Sequence, residues 1–282
     1  MPKNKVTIGL IQFQAEHWPA HNLLRAVRLV QKARKQGAEI ICLPELFKSD
    51  YFPQHKSQRP FEWAEKIPGS TSRLFSDLAC ELKAVLIVPL FEQSGKGRYY
   101  NSLIVINADG KIVGQYRKMH LPNDPGFYEP YYFDKGNLGF EVFQTAYGKI
   151  GALICWDQWF PEAALTLALS GAQIIFYPTA IGWHRRQKPK ERLKEKTAWE
   201  IIQRSHAISN GVFVASVNRI GREGKLTFWG SSFISGPFGE LLGQASEHKE
   251  EILIRACDLN QISKVRRDWP FLKERRTDAY KN

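Results

Sequence analysis

Cysteine is scarce in this 282-residue chain, and none of it is paired in the sequence. Cys42, Cys80, Cys155 and Cys257 are widely separated with no Cys-x-x-Cys spacing, so neither a disulfide framework nor a zinc site is indicated. Long apolar runs are also missing. No stretch approaches the roughly 20 residues of a membrane helix. The apolar run in MPKNKVTIGLIQF is too short for a secretory core and no small-residue cleavage site follows it. There is no Ser-rich or low-complexity linker, and no motif recurs at a fixed period. These absences point to a cytoplasmic chain with no membrane association, built as a single domain over residues 1–282.

Charge is abundant but of uneven sign. Lys and Arg total 40 against 28 acids, a net +12. The excess lies in WHRRQKPKERLKEK (183–196) and KVRRDWPFLKERR (264–276), both interleaved with acids. A basic surface without a recognition motif does not define a nucleic-acid interface, so no nucleic-acid partner is expected. The first cluster opens a helix in which Leu193, Thr197, Ile201, Ile202, Ser205 and Ile208 form one stripe, and this spacing predicts charges on the opposite, solvated face.

With 43% hydrophobic and 12% aromatic residues the chain can bury a full core. KVTIGLIQF reads as a buried strand. Leu23, Leu24, Val27, Val30 and Ala33 then give a helical stripe closed by Gly37, and AEIICLP returns as a second strand. A helix over 71–82 leads to AVLIVPLFE, and YYNSLIVIN with KIVGQYRK flank Ala108, Asp109 and Gly110 as a hairpin. Further strands are expected at FEVFQT, KIGALIC, AQIIFYP, VFVASVN and EILIRAC, with helices over 161–170 and 189–210. Strands alternating with helices define an α/β fold, with packed sheets covered by helices.

Glu45 follows the strand AEIICLP, Lys118 follows KIVGQYR, and Cys155 completes KIGALI. In α/β folds, ligand sites lie beyond the carboxyl ends of strands, where a rigid sheet hands over to loops. Taken singly, each residue has an ordinary reading: a packed thiol, a loop acid, one more lysine. The other cysteines serve as controls, because none has the polar exit that follows Cys155. The stretch HLPNDPGFYEPYYFDKGN (120–137) is too irregular for an element and too aromatic for disorder, which marks a functional loop containing Glu129. His120 raises the alternative of a Cys–His dyad.

PELF with Glu45, YRKMHLP with Lys118 and ICWDQWFPE with Cys155 resemble the three signature segments of the nitrilase superfamily of carbon-nitrogen hydrolases. The resemblance covers nearly the whole chain. It implies a four-layer αββα sandwich that pairs through a helical face into a homo-oligomer, a Glu-Lys-Cys catalytic set, and no cofactor or metal. It also implies that Glu129 supports the lysine and the substrate. A thiolate is the working nucleophile, so Glu45 is the expected general base. Lys118 and the Trp156 N–H are the expected oxyanion donors, helped by the field of a helix beginning near Gln158.

Segments 157–162, 179–184, 199–221, 228–240 and 266–280 resemble, more narrowly, the branch that hydrolyses N-carbamoylputrescine. The implied partner is a small cationic ureido compound, with N-carbamoyl-β-alanine or another amide or nitrile as the sibling substrate. A terminal ammonium requires acids or aromatic faces. Asp124, Glu129 and Asp157 are the acid candidates, with Tyr51, Tyr128, Trp156 and Trp183 as walls. Asn123 stands where relatives frequently carry Asp. Gln158 and Trp159 follow the cysteine region where carboxylate-binding relatives tend to carry Arg. The overall +12 would repel a cation at long range, so recognition must be local.

Overall fold

The computed structural model describes residues 4–280, so Lys3 of the opening stretch lies outside the described residues. Apolar runs rich in Ile and Val become strands, because branched side chains pack well on a pleated surface. The first sheet takes β1 (Lys5–Gln12), β2 (Ile40–Cys42), β3 (Val85–Gln93), β4 (Tyr99–Ile106) and β5 (Ile112–Arg117) in chain order. The strand Glu251–Asp258 adds antiparallel to β1 as the sixth. β1, β2 and β3 are parallel, with Ile8 opposite Ile40 and Ile40 opposite Val85, and β3 to β5 form an antiparallel meander.

The second sheet orders Leu241–Gln244, Phe233–Ser235, Phe213–Val217, Ile174–Pro178, Gly148–Ala152 and Val142–Thr145, its middle three mutually parallel. The helices are α1 (Pro19–Lys35), α2 (Ser70–Leu82), α3 (Pro161–Leu169), α4 (Pro189–Asn210) and α5 (Asn260–Asp268). α1, α3 and α4 each start on proline, whose fixed φ suits a first helical turn.

Strand periodicity explains why the first sheet faces two different cores. Ile40 and Cys42 point into a cluster that joins Val6, Ile8 and Val105 to Ile150, Phe176 and Val214 of the facing sheet. Ile41, between them, joins Ile11, Leu86 and Ile104 against Ala26 and Val30 of α1 and Phe75 of α2. Ala163, Ala164 and Leu167 of α3 and Trp199 of α4 cover the second sheet. The layers are therefore helix, sheet, sheet, helix, as the resemblance implied.

Three expectations need correction. α1 buries Asn22, Ala26, Leu29, Val30 and Ala33, while Leu24 is 57% exposed. Asn22 displaces the stripe because its side chain bonds the Glu16 and Lys48 backbone, and so fixes the rotation of the helix. α4 departs further: Leu193 (67%), Ile201 (57%) and Ile208 (37%) are exposed, and Trp199, Gln203, His206, Ala207 and Asn210 are buried. Its inner face follows polar contacts. Trp199 donates to Gln158 Oε1 at 2.9 Å and His206 Nε2 lies 2.8 Å from the Gln158 carbonyl. Lastly, no α-helix begins near Gln158. Cys155–Trp159 form a 3₁₀ turn, and α3 starts at Pro161.

Strands the sequence did not announce complete the fold. Gly182–His184, Ile220–Glu223 and Leu226–Trp229 form a small sheet, and Asn123–Asp124 pairs with Phe127–Tyr128.

Trp199 is fully buried against Trp229 at 5.8 Å and Phe233 at 5.2 Å, while also anchoring the turn that follows the cysteine. Trp199→Ala should cost about 3–5 kcal/mol, read as a lowered midpoint in urea unfolding.

Candidate active site

Glu45, Lys118 and Cys155 each leave the end of a different strand, and the packed sheets bring them together. Glu45 lies three residues beyond β2, Lys118 directly beyond β5, and Cys155 three residues beyond Gly148–Ala152. All three are buried. Lys118 Nζ donates to Glu45 Oε1 at 2.7 Å and to both Glu129 oxygens at 2.7 Å. Tyr51 Oη donates to Glu129 Oε1 at 2.8 Å, and Asn101 Nδ2 donates to Glu45 Oε1 at 2.7 Å. The other oxygen, Glu45 Oε2, is buried with no hydrogen-bond partner among the described residues. One carboxylate oxygen is thus fixed and its twin is free to accept a proton.

The electrostatics follow from burial. Burial alone would pull the Lys118 pKa down, but the Glu129 and Glu45 carboxylates hold the ammonium well above the ordinary lysine range. Burial pushes Glu129 up to about 7, with Lys118 opposing and Glu45 reinforcing the shift. Burial and then the Glu45 carboxylate push the Cys155 thiol well above the usual cysteine range, against the pull of Lys118 and of the Ala180 backbone N–H. The resting sulfur therefore keeps its proton. A neutral sulfur must lose its proton to become a nucleophile, and the unpartnered Glu45 Oε2 is an available acceptor.

Backbone strain marks two of these positions. Cys155 has φ +43° and Leu46, next to Glu45, has φ +48°, both in the left-handed region. For residues with a Cβ this costs about 1–2 kcal/mol each and persists only where surroundings over-determine it. Arg219 provides that hold at Leu46. Its fully buried guanidinium donates from Nη2 to the carbonyls of Glu45 (2.8 Å), Leu46 (2.8 Å) and Ser49 (3.3 Å). From Nη1 it grips Glu223 at 2.9 and 3.1 Å, and Glu223 accepts the Tyr51 N–H at 2.5 Å. Burial pushes Glu223 up to about 7, against the pull of Arg219. The neighbouring Asn218 bonds both the N–H and the carbonyl of Ile181, beside the Ala180 amide that faces the sulfur. Adjacent side chains thus hold the turn of Glu45 and the segment whose Ala180 amide faces the Cys155 sulfur.

A cavity of about 710 Å³ opens onto Cys155, lined among others by Tyr51, Asp124, Trp156 and Trp159. Of the sequence candidates, Tyr51, Asp124 and Trp156 face this cavity, while Asn123, Tyr128, Asp157 and Trp183 are not among its lining residues. Asp157 is fully buried and spent on other donors: Tyr116 Oη, Ile154 N–H, His120 N–H and His120 Nδ1. It ties the cysteine turn to the lysine strand and has no role open toward an ammonium. The same contact answers the Cys–His alternative, since His120 is bonded to Asp157 at 2.7 Å and stacked on Phe160 at 3.6 Å. Trp183 donates to the Arg192 carbonyl and packs on Trp229 at 5.0 Å. Among the described residues no cluster of three or more His, Cys, Asp or Glu is placed to hold a metal. Asn101, Ala180, Asn218, Arg219 and Glu223 were missed by sequence reasoning. For Arg219 a signal existed: a charged residue one step past the end of the strand VFVASVN.

The four-layer sandwich is the fold that the resemblance to the nitrilase superfamily implied, and Glu45, Lys118 and Cys155 meet where its strands end. The chain belongs to the carbon-nitrogen hydrolase family, whose profile matches residues 7–267, and is accordingly an enzyme. It is 42% identical to an N-carbamoylputrescine amidase of Solanum lycopersicum over 99% of this chain and 95% of that one. It is 36% identical to a citrullinase of Francisella tularensis, covering 98% and 96% of the two chains. A solved carbon-nitrogen hydrolase from Helicobacter pylori superposes with a TM-score of 0.95 at 42% identity, over 98% of this chain and 97% of that one.

Protonated Glu129 can no longer accept both Lys118 bonds, so kcat/KM should fall as pH drops through about 7, and Glu129→Gln should be low and lack that limb. The raised pKa means that the folded chain binds this proton more tightly than the unfolded chain. On this group's account the fold gains stability as pH falls from 7 towards 4.5, so activity is lost without unfolding. Arg219→Met leaves Glu223 buried and uncompensated and should cost about 3–5 kcal/mol in chemical denaturation. Arg219→Lys should keep the fold and lower kcat more than it raises KM.

Proposed function

We propose that the chain hydrolyses N-carbamoylputrescine to putrescine, ammonia and carbon dioxide through a covalent intermediate on Cys155, within a polyamine-forming route. The observation that carries this reading is the unpartnered Glu45 Oε2 beside a clamped Lys118 ammonium and a protonated thiol. Cys155 Sγ attacks the carbamoyl carbon while its proton passes to Glu45. Lys118, with the Trp156 N–H, holds the oxyanion in a site where little water screens it. Collapse breaks the bond to the terminal nitrogen, Glu45 returns the proton, and ammonia leaves. Glu45 then deprotonates water, which attacks the thiocarbamate carbon. The sulfur leaves and recovers a proton, and the freed carbamic acid loses carbon dioxide to give the amine. Glu129 and Tyr51 keep Lys118 aimed throughout.

Support for the substrate comes from the N-carbamoylputrescine amidases at about 40% identity and from Asp124 and the aromatic walls of the cavity. A second reading, citrulline, is favoured by the citrullinase relative and by the basic residues His184 and Arg186 on the cavity wall. We further place the protein in the cytoplasm as a homo-oligomer. No described helix is long and apolar enough to cross a membrane, and Leu193 and Ile201 leave α4 with an exposed apolar face.

Ammonia release should be measured from N-carbamoylputrescine, N-carbamoyl-β-alanine and simple amides, with Cys155→Ala as the blank. N-carbamoylputrescine should lead in kcat/KM by at least roughly tenfold, a difference of about 1.4 kcal/mol. The Cys155→Ala protein should be silent. Preference for N-carbamoyl-β-alanine would overturn the substrate, and turnover by Cys155→Ala would overturn the mechanism.

A further inference from the structure

On the face of the first sheet turned away from the second, a further polar assembly backs the strand that delivers Lys118. Strand periodicity sends Tyr116 of β5 into the core between the sheets and Gln115 and Arg117 to the opposite face. Glu92 of β3 is the buried hub there. Arg117 grips it as a fork, Nε donating to Oε2 at 2.9 Å and Nη2 to Oε1 at 2.5 Å. Ser102 Oγ and Gln115 Nε2 also donate to Glu92, at 2.6 and 2.9 Å.

The fork leaves the arginine little freedom. Its guanidinium lies over the Tyr100 ring, 3.9 Å from the centroid, and Nη2 also donates to Ser94 Oγ at 2.7 Å. Planar, bidentate and stacked contacts of this kind suit arginine and not lysine. They aim the remaining nitrogen, and Nη1 donates to Asn137 Oδ1 at 2.8 Å.

Asn137 ends the loop that runs from His120 past Glu129. Beside it, the Gly136 N–H donates to the Lys118 carbonyl at 2.8 Å. A Cβ on Gly136 would meet the Arg117 carbonyl oxygen at 2.0 Å, so only glycine allows this return. The loop therefore starts and ends on one spot at the end of β5. Glu129, midway along it, reaches back to place both oxygens 2.7 Å from the Lys118 ammonium. Pinning a loop at its base removes conformations in which its middle strays, so less ordering is left for the contact of Glu129 with Lys118 to impose. One guanidinium thus fastens β3, β5 and the end of the loop.

We propose that Arg117 is a positioning residue for the reaction: it latches the 120–137 loop through Asn137 and so holds Glu129 against Lys118, whose ammonium must stay aimed at the developing oxyanion. This role presupposes the hydrolytic mechanism above and extends it to the far side of the sheet.

Two variants of different severity test the latch. Arg117→Lys keeps a charge for Glu92 but cannot serve Glu92, Ser94 and Asn137 together. Asn137 is exposed, and Asn137→Leu removes the latch while leaving the buried pair intact. Each is assayed by ammonia release well below its thermal midpoint, so that only folded protein is compared. kcat should fall about tenfold in Arg117→Lys and roughly threefold in Asn137→Leu, with KM within about twofold, because the oxyanion exists only after attack. Asn137→Asp retains the acceptor and should keep the wild-type kcat. Alkylation of Cys155 by iodoacetamide, followed by peptide mass, needs no substrate: the sulfur displaces iodide and its proton passes to Glu45. Lys118 favours loss of that proton, so alkylation should slow in both variants in the order of their kcat losses, while labelling of exposed Cys80 stays constant. Wild-type kcat and alkylation rates in both variants, even with a lowered thermal midpoint, would overturn the proposal. Absence of ammonia from every ureido compound and amide would defeat the hydrolytic reading instead, and the alkylation rates would still decide the role of Arg117.

Discussion

Taking an ammonium out of water costs several kcal/mol unless oppositely charged partners replace the lost hydration. Lys118 is 1% exposed, and the carboxylates of Glu45 and Glu129 replace that hydration with three bonds of 2.7 Å. The rest of the site follows from this clamp. It fixes one oxygen of Glu45 and leaves the other open, it joins the 120–137 loop to the sheets through Glu129, and it sets a positive charge beside a sulfur that burial keeps neutral. Asn101 and Tyr51 complete the donors, so Glu45 Oε1 and both Glu129 oxygens are already committed.

Holding that clamp requires backbone that is itself constrained. Glu45 sits on a turn whose next residue is left-handed, and Arg219 donates to the Glu45 and Leu46 carbonyls of that turn, the second of which also accepts the Ser49 N–H. Asp157 performs the corresponding task on the other side, joining the cysteine turn to the strand that delivers Lys118. Two buried charged residues, neither among the residues lining the cavity at Cys155, thus position the three to which the proposed mechanism gives the chemistry.

Much of this was legible in the sequence. Apolar runs announced ten of the twelve strands of the two large sheets, missing Phe233–Ser235 and Leu241–Gln244, and proline and glycine marked the helix ends, because those signals arise from local geometry. Glu45, Lys118, Cys155 and Glu129 were legible as chemical types at strand exits and in an irregular loop. What was not legible depends on tertiary partners. α4 reads as amphipathic on Leu193, Ile201 and Ile208, yet it turns Trp199, Gln203 and His206 inwards, since Gln158 offers them hydrogen bonds that hydropathy does not register. Asp157 had the composition of a ligand-binding acid, but its donors come from positions as distant as Tyr116. Arg219 looked like one more cation in a basic chain, because the carbonyls it serves lie more than 170 positions away.

The protonated state of the buried nucleophile has a consequence for survival in an oxidising episode. Peroxide and electrophilic toxins react with thiolates, and neutral sulfur is a poor target. On the proposed mechanism Cys155 is therefore shielded between turnovers, and its proton leaves only as the sulfur attacks a carbonyl. Cys80 on α2 is the one exposed thiol of the four, and so the one such reagents meet first.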